Sequence, residues 1–338
     1  MRTIVFFICV FILLTGPVSA QTFESVGARA MGMGGAFVAV ADDATAAYWN
    51  PAGLTTGAFF SLLADETFTR TRLDPTESDF PGTEQEGIFV GLSTNTAALS
   101  YYRLRINQIE RPSNPEASLD LARKDQRGEA ILQSVVTHNV ALTGASLLYP
   151  GVSMGSTLRY VLGSYGIGAW DPDATTDAWL REASDLKRHN QHKVDMDVGL
   201  KIGGEKLQLG LVARNLLEPS LDGPDGRSFR MDRLVRAGLA VRPVGRLLVA
   251  ADIDLRRFST AYGDRRNVAV GAEQWFGVWF GVRGGARFNL EGGDDNSGIV
   301  GAFGLSVSLS SSLYVDAQVT RSRDDIEQGW SIAGRVGF

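Results

Sequence analysis

The chain has one cysteine, Cys9, and three histidines in 338 residues. That scarcity excludes a disulfide framework and a cysteine-rich metal centre, since each needs several thiols. Basic side chains are also short: Lys and Arg number 33 against 38 Asp and Glu, leaving a formal charge of −5. No net positive field offsets the cost of meeting a polyanion, so no nucleic-acid partner is expected. Long apolar runs are missing as well. The only extended one is Ile4 to Leu14, too short for the roughly 20 residues of a membrane-crossing helix, which excludes a bundle of such helices. There is no Gly-Lys-Ser/Thr phosphate loop. Gly32-Met33-Gly34-Gly35 is a poor dinucleotide loop, because no strand precedes it and no βαβ unit follows. Glycine, by contrast, is plentiful, at 39 residues, or about 12% where roughly 7% is usual. Apolar residues at 44% and charged ones at 21% exclude disorder.

The first residues have the makings of an export signal. A basic Met1-Arg2-Thr3 leads into the apolar Ile4 to Leu14, Gly16-Pro17 breaks it, and Val18-Ser19-Ala20 offers small residues for cleavage. Residues 1–20 are therefore expected to be a signal peptide and Gln21 the first mature residue. Cleavage would remove Cys9, which has no lipobox around it, and leave a protein sent out of the cytoplasm without any cysteine.

The remainder alternates with a period of two between Gly, Asn, Asp and Pro punctuation. Strands are expected at about 58–66, 86–94, 97–106, 134–148, 152–165, 193–203, 206–216, 233–242, 245–256, 267–276, 278–289, 298–309, 311–321 and 328–338. Short turns, such as Asn95-Thr96 and Gly204-Glu205, alternate with long loops, and strands of about ten residues suit a tilted bilayer crossing. That pattern predicts an all-β fold: a 14-stranded antiparallel transmembrane barrel with short turns at one end and long loops at the other. A soluble periplasmic β-protein is the runner-up. Face patterns agree with a lipid-facing exterior. In 193–203, Val194, Met196, Val198, Leu200 and Ile202 oppose Lys193, Asp195, Asp197 and Lys201; in 278–289, Val278, Phe280 and Val282 oppose Trp279, Arg283 and Arg287. Strands 97–106 and 134–148 could each be shifted by one residue, which would swap their faces. Trp330, Ile332, Gly334, Val336 and Phe338 share one face of the last strand. A terminal strand ending in an aromatic resembles the signal read by the barrel-assembly machinery.

Before the first strand, residues 27–54 run Gly-Ala-Arg-Ala-Met-Gly-Met-Gly-Gly through Asp42-Asp43 to Asn50-Pro51-Ala52-Gly53. This stretch resembles the N-terminal signature of the PorV/PorQ family, within the superfamily of the long-chain fatty-acid transporter FadL (OmpP1/TodX). The resemblance implies that residues 21–57 form a hatch inside a barrel of residues 58–338. The residues themselves allow it. Gly32, Gly34 and Gly35 permit close backbone approach, Asp42 or Asp43 can cap a short helix over 44–49, and Pro51 ends it. Asn50, Pro51 and Ala52 match the superfamily's Asn-Pro-Ala motif. The bland alternative is an N-terminal strand and turn on the rim.

Lumen charges of both signs are expected at Asp195, Asp197, Lys201, Lys206, Arg214, Arg236, Asp252, Asp254, Arg256, Glu273, Arg283, Arg287, Asp316 and Arg335. They could pair among themselves as a filled wall, in which case a hydrophobic ligand would use an apolar pocket near the hatch and outer loops. Loops 115–126 and 177–188 have helical composition, and Trp170, Trp179 and Leu180 add apolar surface to a lid. Asp171, Asp173, Thr175, Asp177 and Glu182 have calcium-loop spacing, but Thr176 stands where the loop needs Gly. His189 and His192 could share one face of a helix as metal ligands, but no third ligand is evident and a solvated loop pair is expected; His138 has no nucleophile and acid at triad spacing. No catalytic residue, metal site or cofactor is expected, and no enzyme. The resemblance implies an outer-membrane barrel of a Gram-negative-type bacterium, with outer-membrane lipid as its surroundings, that binds or passes hydrophobic small molecules. The alternative is an interaction barrel of type IX protein secretion that receives cargo C-terminal signals.

Overall fold

The computed structural model describes residues 25–71, 82–110, 131–169, 188–223, 228–260, 263–291, 298–323 and 326–338, together with Ala183 and Leu186. Fourteen strands close into an antiparallel barrel. In chain order these are β1 (Phe60–Thr71), β2 (Thr83–Thr94), β3 (Ala97–Glu110), β4 (Ile131–Tyr149), β5 (Val152–Ala169), β6 (His189–Gly203) and β7 (Leu207–Arg214). They continue as β10 (Leu234–Val241), β11 (Leu247–Asp254), β14 (Asn267–Phe276), β15 (Phe280–Asn289), β16 (Val300–Ser308), β17 (Leu313–Ser322) and β18 (Glu327–Gly337). Two hairpins, β8 (Ser220–Asp222) with β9 (Ser228–Arg230) and β12 (Phe258–Thr260) with β13 (Gly263–Arg265), stand in segments expected to be plain loops. Pairing of β1 with β18 shuts the sheet, and Phe60 and Phe338 exchange backbone hydrogen bonds of 3.1 Å beneath rings stacked at 5.2 Å. Closure removes free edges, whose unpaired N–H and C=O groups lipid could not satisfy.

Each expected strand is present, but several run further toward the long loops. β3 to β6 gain up to four residues at that end, and β1 reaches Thr71. On β1 and β2 the outward residues toward that end include Arg70, Glu84 and Glu86, which break the apolar alternation by which a strand is traced. The ladder is held instead by cross-strand ion pairs, Arg70 to Glu84 at 2.7 Å and Arg105 to Glu86 at 3.5 Å. The faces of β3 are settled: Ala98, Ser100, Tyr102, Leu104 and Ile106 point inward, and Leu99, Tyr101, Arg103 and Arg105 point outward. Trp279, expected inside, lies in the turn after β14 and is 65% exposed.

His189 and His192 both stand on β6, where a spacing of three places side chains on opposite faces, so they do not form the helical pair. Among the described residues no His, Cys, Asp or Glu group could hold a metal. The signal-peptide residues, loop 115–126, most of 177–188, Trp170, Trp179, Leu180 and the calcium-like spacing lie outside the described residues.

Candidate functional site

Residues 25–57 fill the lumen as α1 (Ala28–Gly32), α2 (Ala46–Trp49) and a 3-10 turn at Pro51–Thr56, nearly all of it buried. The backbone of this segment rests on glycines of the wall. Gly155, Gly199, Gly210, Gly238, Gly271, Gly285 and Gly304 face inward on β5, β6, β7, β10, β14, β15 and β16, and a Cβ on any of them would meet the segment. Three pairs sit directly opposite each other across neighbouring strands: Gly155 with Gly199, Gly210 with Gly238, and Gly271 with Gly285. A shallow groove thus follows the wall across eight neighbouring strands, interrupted at β11. There Asp252 takes over, its carboxylate accepting the backbone N–H groups of Phe37 at 2.7 Å and Val38 at 2.9 Å. The segment reciprocates with its own small residues. A Cβ on Gly32 would lie 3.2 Å from Gly304 Cα, and Gly34, at φ +69°, would put one 2.7 Å from Ala286 N. Gly35 also has positive φ, at 87°.

Each polar residue of the motif has a defined anchor. The Asn50 amide donates to Val38 O at 2.9 Å within the segment and to Leu200 O of β6 at 3.2 Å, while its Oδ1 accepts from Ala52 N at 3.1 Å. Pro51 then opens the 3-10 turn, where its missing N–H costs nothing, and packs with Ala52 over Gly155. Asp43 accepts the Thr45 N–H at 2.9 Å and so orders the turn ahead of α2, but neither it nor Asp42 caps the helix, which starts at Thr45 without a side-chain cap. Asp42 instead pairs with Arg29. Arg29 also forks onto both oxygens of Glu273 on β14, at 2.9 Å each. Burial alone would lower the Arg29 pKa, but Asp42, Glu273 and Asp43 together hold its guanidinium well above the usual value.

The wall charges form pairs and chains. Glu273 continues to Arg283 at 2.7 Å, Arg283 to Asp316 at 3.2 Å, and Asp316 to Arg335 at 3.2 Å, with Arg335 also over the Tyr314 ring. Arg287 pairs with Glu327, and Arg236 with Asp254 at 2.7 Å. Asp195 and Asp197 share Arg159, and they accept the backbone N–H groups of Leu217 at 3.2 Å and Asn215 at 2.9 Å. Those bonds turn the chain inward after β7, with Asn215 at positive φ. Lys201 donates to Ala41 O and Thr56 Oγ1. Lys206 and Arg256 depart from expectation: each lies just beyond a strand end, so Lys206 is exposed in a turn and Arg256 is 41% exposed beside Glu218. Sequence reasoning passed over Arg29, Asp65, Arg159 and Glu327. Asp65, for example, accepts the Gly27 N–H at 2.9 Å from mid-β1. Its inward parity on an alternating strand was the available signal.

Charge is not spread evenly around the lumen. On β2, β3 and β4 no acidic or basic side chain faces inward among the described residues. The inner wall there and on adjoining β5 carries Phe89, Tyr102, Leu104, Ile106, Val135 and Val161, one apolar cluster with Phe37, Tyr48 and Trp49 of the central segment. Tyr48 stacks edge-on against Tyr102 at 5.6 Å and Trp49 at 5.5 Å. Toward the long loops, Leu221 and Phe229 of the β8–β9 hairpin close over this cluster, Leu221 seated on Gly163 and Phe229 6.4 Å from Tyr165. At the opposite, short-turn end, a recess of about 530 Å³ opens outward over Arg29, Asp42 and Glu273.

The family described as "F plasmid transfer operon, TraF, protein" matches residues 83–254, just over half of the chain and running from the first residue of β2 to the last of β11. The chain belongs to this TraF family. The TraF match covers the uncharged sector and the Asp195–Asp197 seam, and leaves out the 27–54 motif. No curated protein sequence matches the chain. Solved structures supply the fold. The Ralstonia pickettii toluene transporter TbuX is 14% identical with a TM-score of 0.62, over 93% of this chain and 99% of its own. The CymD monoaromatic hydrocarbon channel is 14% identical with a TM-score of 0.64, over 93% and 97%. A Pseudomonas aeruginosa FadL homologue is 10% identical with a TM-score of 0.58, over 90% and 96%. This TraF-family chain has the fold of the FadL/TodX-type barrels.

Proposed function

We propose that the protein is an outer-membrane barrel that binds or passes small hydrophobic molecules, entering from the long-loop side. The observation that carries this reading is the uncharged sector. The rest of the lumen is braced by ion pairs, and Tyr102, Leu104, Ile106, Val135 and Val161 form a buried apolar lining between the β8–β9 hairpin and the aromatic residues of the plug. A dehydrated hydrocarbon gains nothing from the ionic side and loses nothing on the apolar one. The solved barrels that share the fold include a toluene transporter and a monoaromatic hydrocarbon channel, which suggests the substrate class. An apolar outer belt ending in Trp330 and Phe68 at one edge and Phe60 and Phe338 at the other supports the membrane setting. The resemblance of residues 27–54 to PorV/PorQ supports the finer placement among plugged barrels of that type.

A deletion strain tests this. Uptake of a radiolabelled monoaromatic hydrocarbon is expected to fall several-fold and to return with the wild-type gene, while the surface proteome stays unchanged. Unaltered uptake with a depleted surface proteome would overturn the reading in favour of protein secretion.

A further inference from the structure

Two of the three histidines stand on the outside of the barrel in matching arrangements. His138 on β4 and His192 on β6 both face outward, and the Nδ1 of each is bound by a tyrosine hydroxyl from the preceding strand: Tyr101 to His138 at 2.8 Å, and Tyr160 to His192. In both pairs the tyrosine stands closer to the short-turn end than its histidine, since the register sets Tyr101 opposite Val140 and Tyr160 opposite Val194. With the hydroxyl donating to Nδ1, the ring carries its proton on Nε2, which is then free to donate.

Arg103 is the direct cross-strand neighbour of His138. Arg70, Arg103 and Arg105 all face outward, but Arg70 is bound to Glu84 and Arg105 to Glu86. Arg103 alone of these has no carboxylate partner among the described residues. Below this row the exterior turns apolar, with Leu99, Val140, Leu142 and Leu158 all 47% to 63% exposed. A cation and imidazole donors thus stand directly above an apolar stripe, on the end of the barrel that bears the long loops.

We infer that Arg103 and His138, its imidazole held by Tyr101, form an external site for the phosphate of an outer-leaflet lipid, whose acyl chains lie along the Val140–Leu142–Leu158 stripe, while the Tyr160–His192 pair stands beyond Leu162 at the same depth. This rests on the outer-membrane reading, which fixes the long-loop end as the outer leaflet. Arg103 supplies the charge-assisted hydrogen bonds, His138 adds a donor beside it, and Tyr101 holds that ring at the depth where headgroup meets chain. Glu84 and Glu86 do not repel the phosphate strongly, because each is already paired.

Native mass spectrometry of the purified full chain in detergent tests the site, using bis-phosphorylated lipid A, its dephosphorylated form and inorganic phosphate as probes. One lipid A per barrel is expected to survive delipidation. The Arg103→Gln/His138→Gln double variant and the dephosphorylated lipid should each bind roughly tenfold or more weakly, the order expected for losing charge-assisted hydrogen bonds. Arg257→Gln, at an exposed loop position, should bind as wild type. Equal retention by the double variant, or of the dephosphorylated lipid, would overturn the site. Binding of inorganic phosphate as tight as that of lipid A would overturn the lipid assignment. Failure of the outer-membrane reading has a separate signature, a protein that stays soluble without detergent and lacks the heat-dependent gel shift of a folded barrel.

Discussion

Gly210→Val is expected to unseat the central segment from the wall. A Cβ at this position would lie 2.6 Å from Val38 O and 2.9 Å from Ala39 Cα, both backbone atoms that cannot rotate aside. β7 is paired on both sides, to β6 and β10, so the wall does not yield either. Overpacking of this kind costs about 1–3 kcal/mol even among flexible side chains, and a rigid backbone contact belongs at or above the upper end. The result is a large shift of the segment toward displaced states. In a Cys9→Ser background, a reporter Val38→Cys is fully buried in the seated state. Maleimide labelling of it should rise from almost nil to nearly complete when Gly210→Val is added. Gly144→Val is the control, because nothing lies within 4 Å of a Cβ there. Equal protection in all three proteins would show that the glycine groove does not seat the segment.

Glu273→Leu should be the most destabilising single change in the ionic wall. Glu273 neutralises Arg29 of the plug and Arg283 of β15 at once, through contacts of 2.7 to 2.9 Å. The Arg283 side chain is fully enclosed, and Glu273 is only 4% exposed. Removing one partner of a buried pair typically costs about 3–5 kcal/mol, because the remaining charge stays desolvated without compensation. Here two cations lose their shared carboxylate, although Asp42 and Asp43 still face Arg29 and Asp316 still faces Arg283. The expected readout is a lower urea midpoint in detergent with an unchanged slope. Arg70→Gln, which breaks the partly exposed pair with Glu84, should change the midpoint little. A Glu273→Leu midpoint equal to wild type would contradict the role given to this chain of charges.

Much of the architecture was legible because a barrel wall makes alternation strict. Val194 to Ile202 and Asp195 to Lys201 separate by a period of two, and the structure turns the first set outward and the second into the lumen. Legibility failed where the outward face stops being apolar. Residues 107–110 fall in an expected loop but continue β3. The glycine excess has a structural outlet that alternation does not reveal, because many of these residues line the wall. A glycine within a strand reads as weakness from sequence alone, and only the packed segment shows that Gly155 and Gly285 leave room for a second backbone. The charge partners were out of reach for a different reason. Arg29 and Glu273 are far apart in the chain, and strand parity says which way a side chain points but not which strand it meets across a filled lumen. His189 and His192, expected as a solvated loop pair, stand instead on β6, where a spacing of three puts them on opposite faces.

The central claim is that the uncharged sector over β2 to β4 receives a hydrophobic molecule above the plug. Equilibrium binding of radiolabelled toluene to the purified barrel, compared with Val135→Asp, tests it most directly. Val135 is 2% exposed within the apolar cluster, and an unpaired carboxylate there would repel an apolar ligand without touching the ionic wall. Saturable binding by wild type that is lost in Val135→Asp, with the variant still showing the heat-dependent gel shift, is the predicted result. No saturable binding by wild type, or undiminished binding by a folded Val135→Asp, would contradict the account.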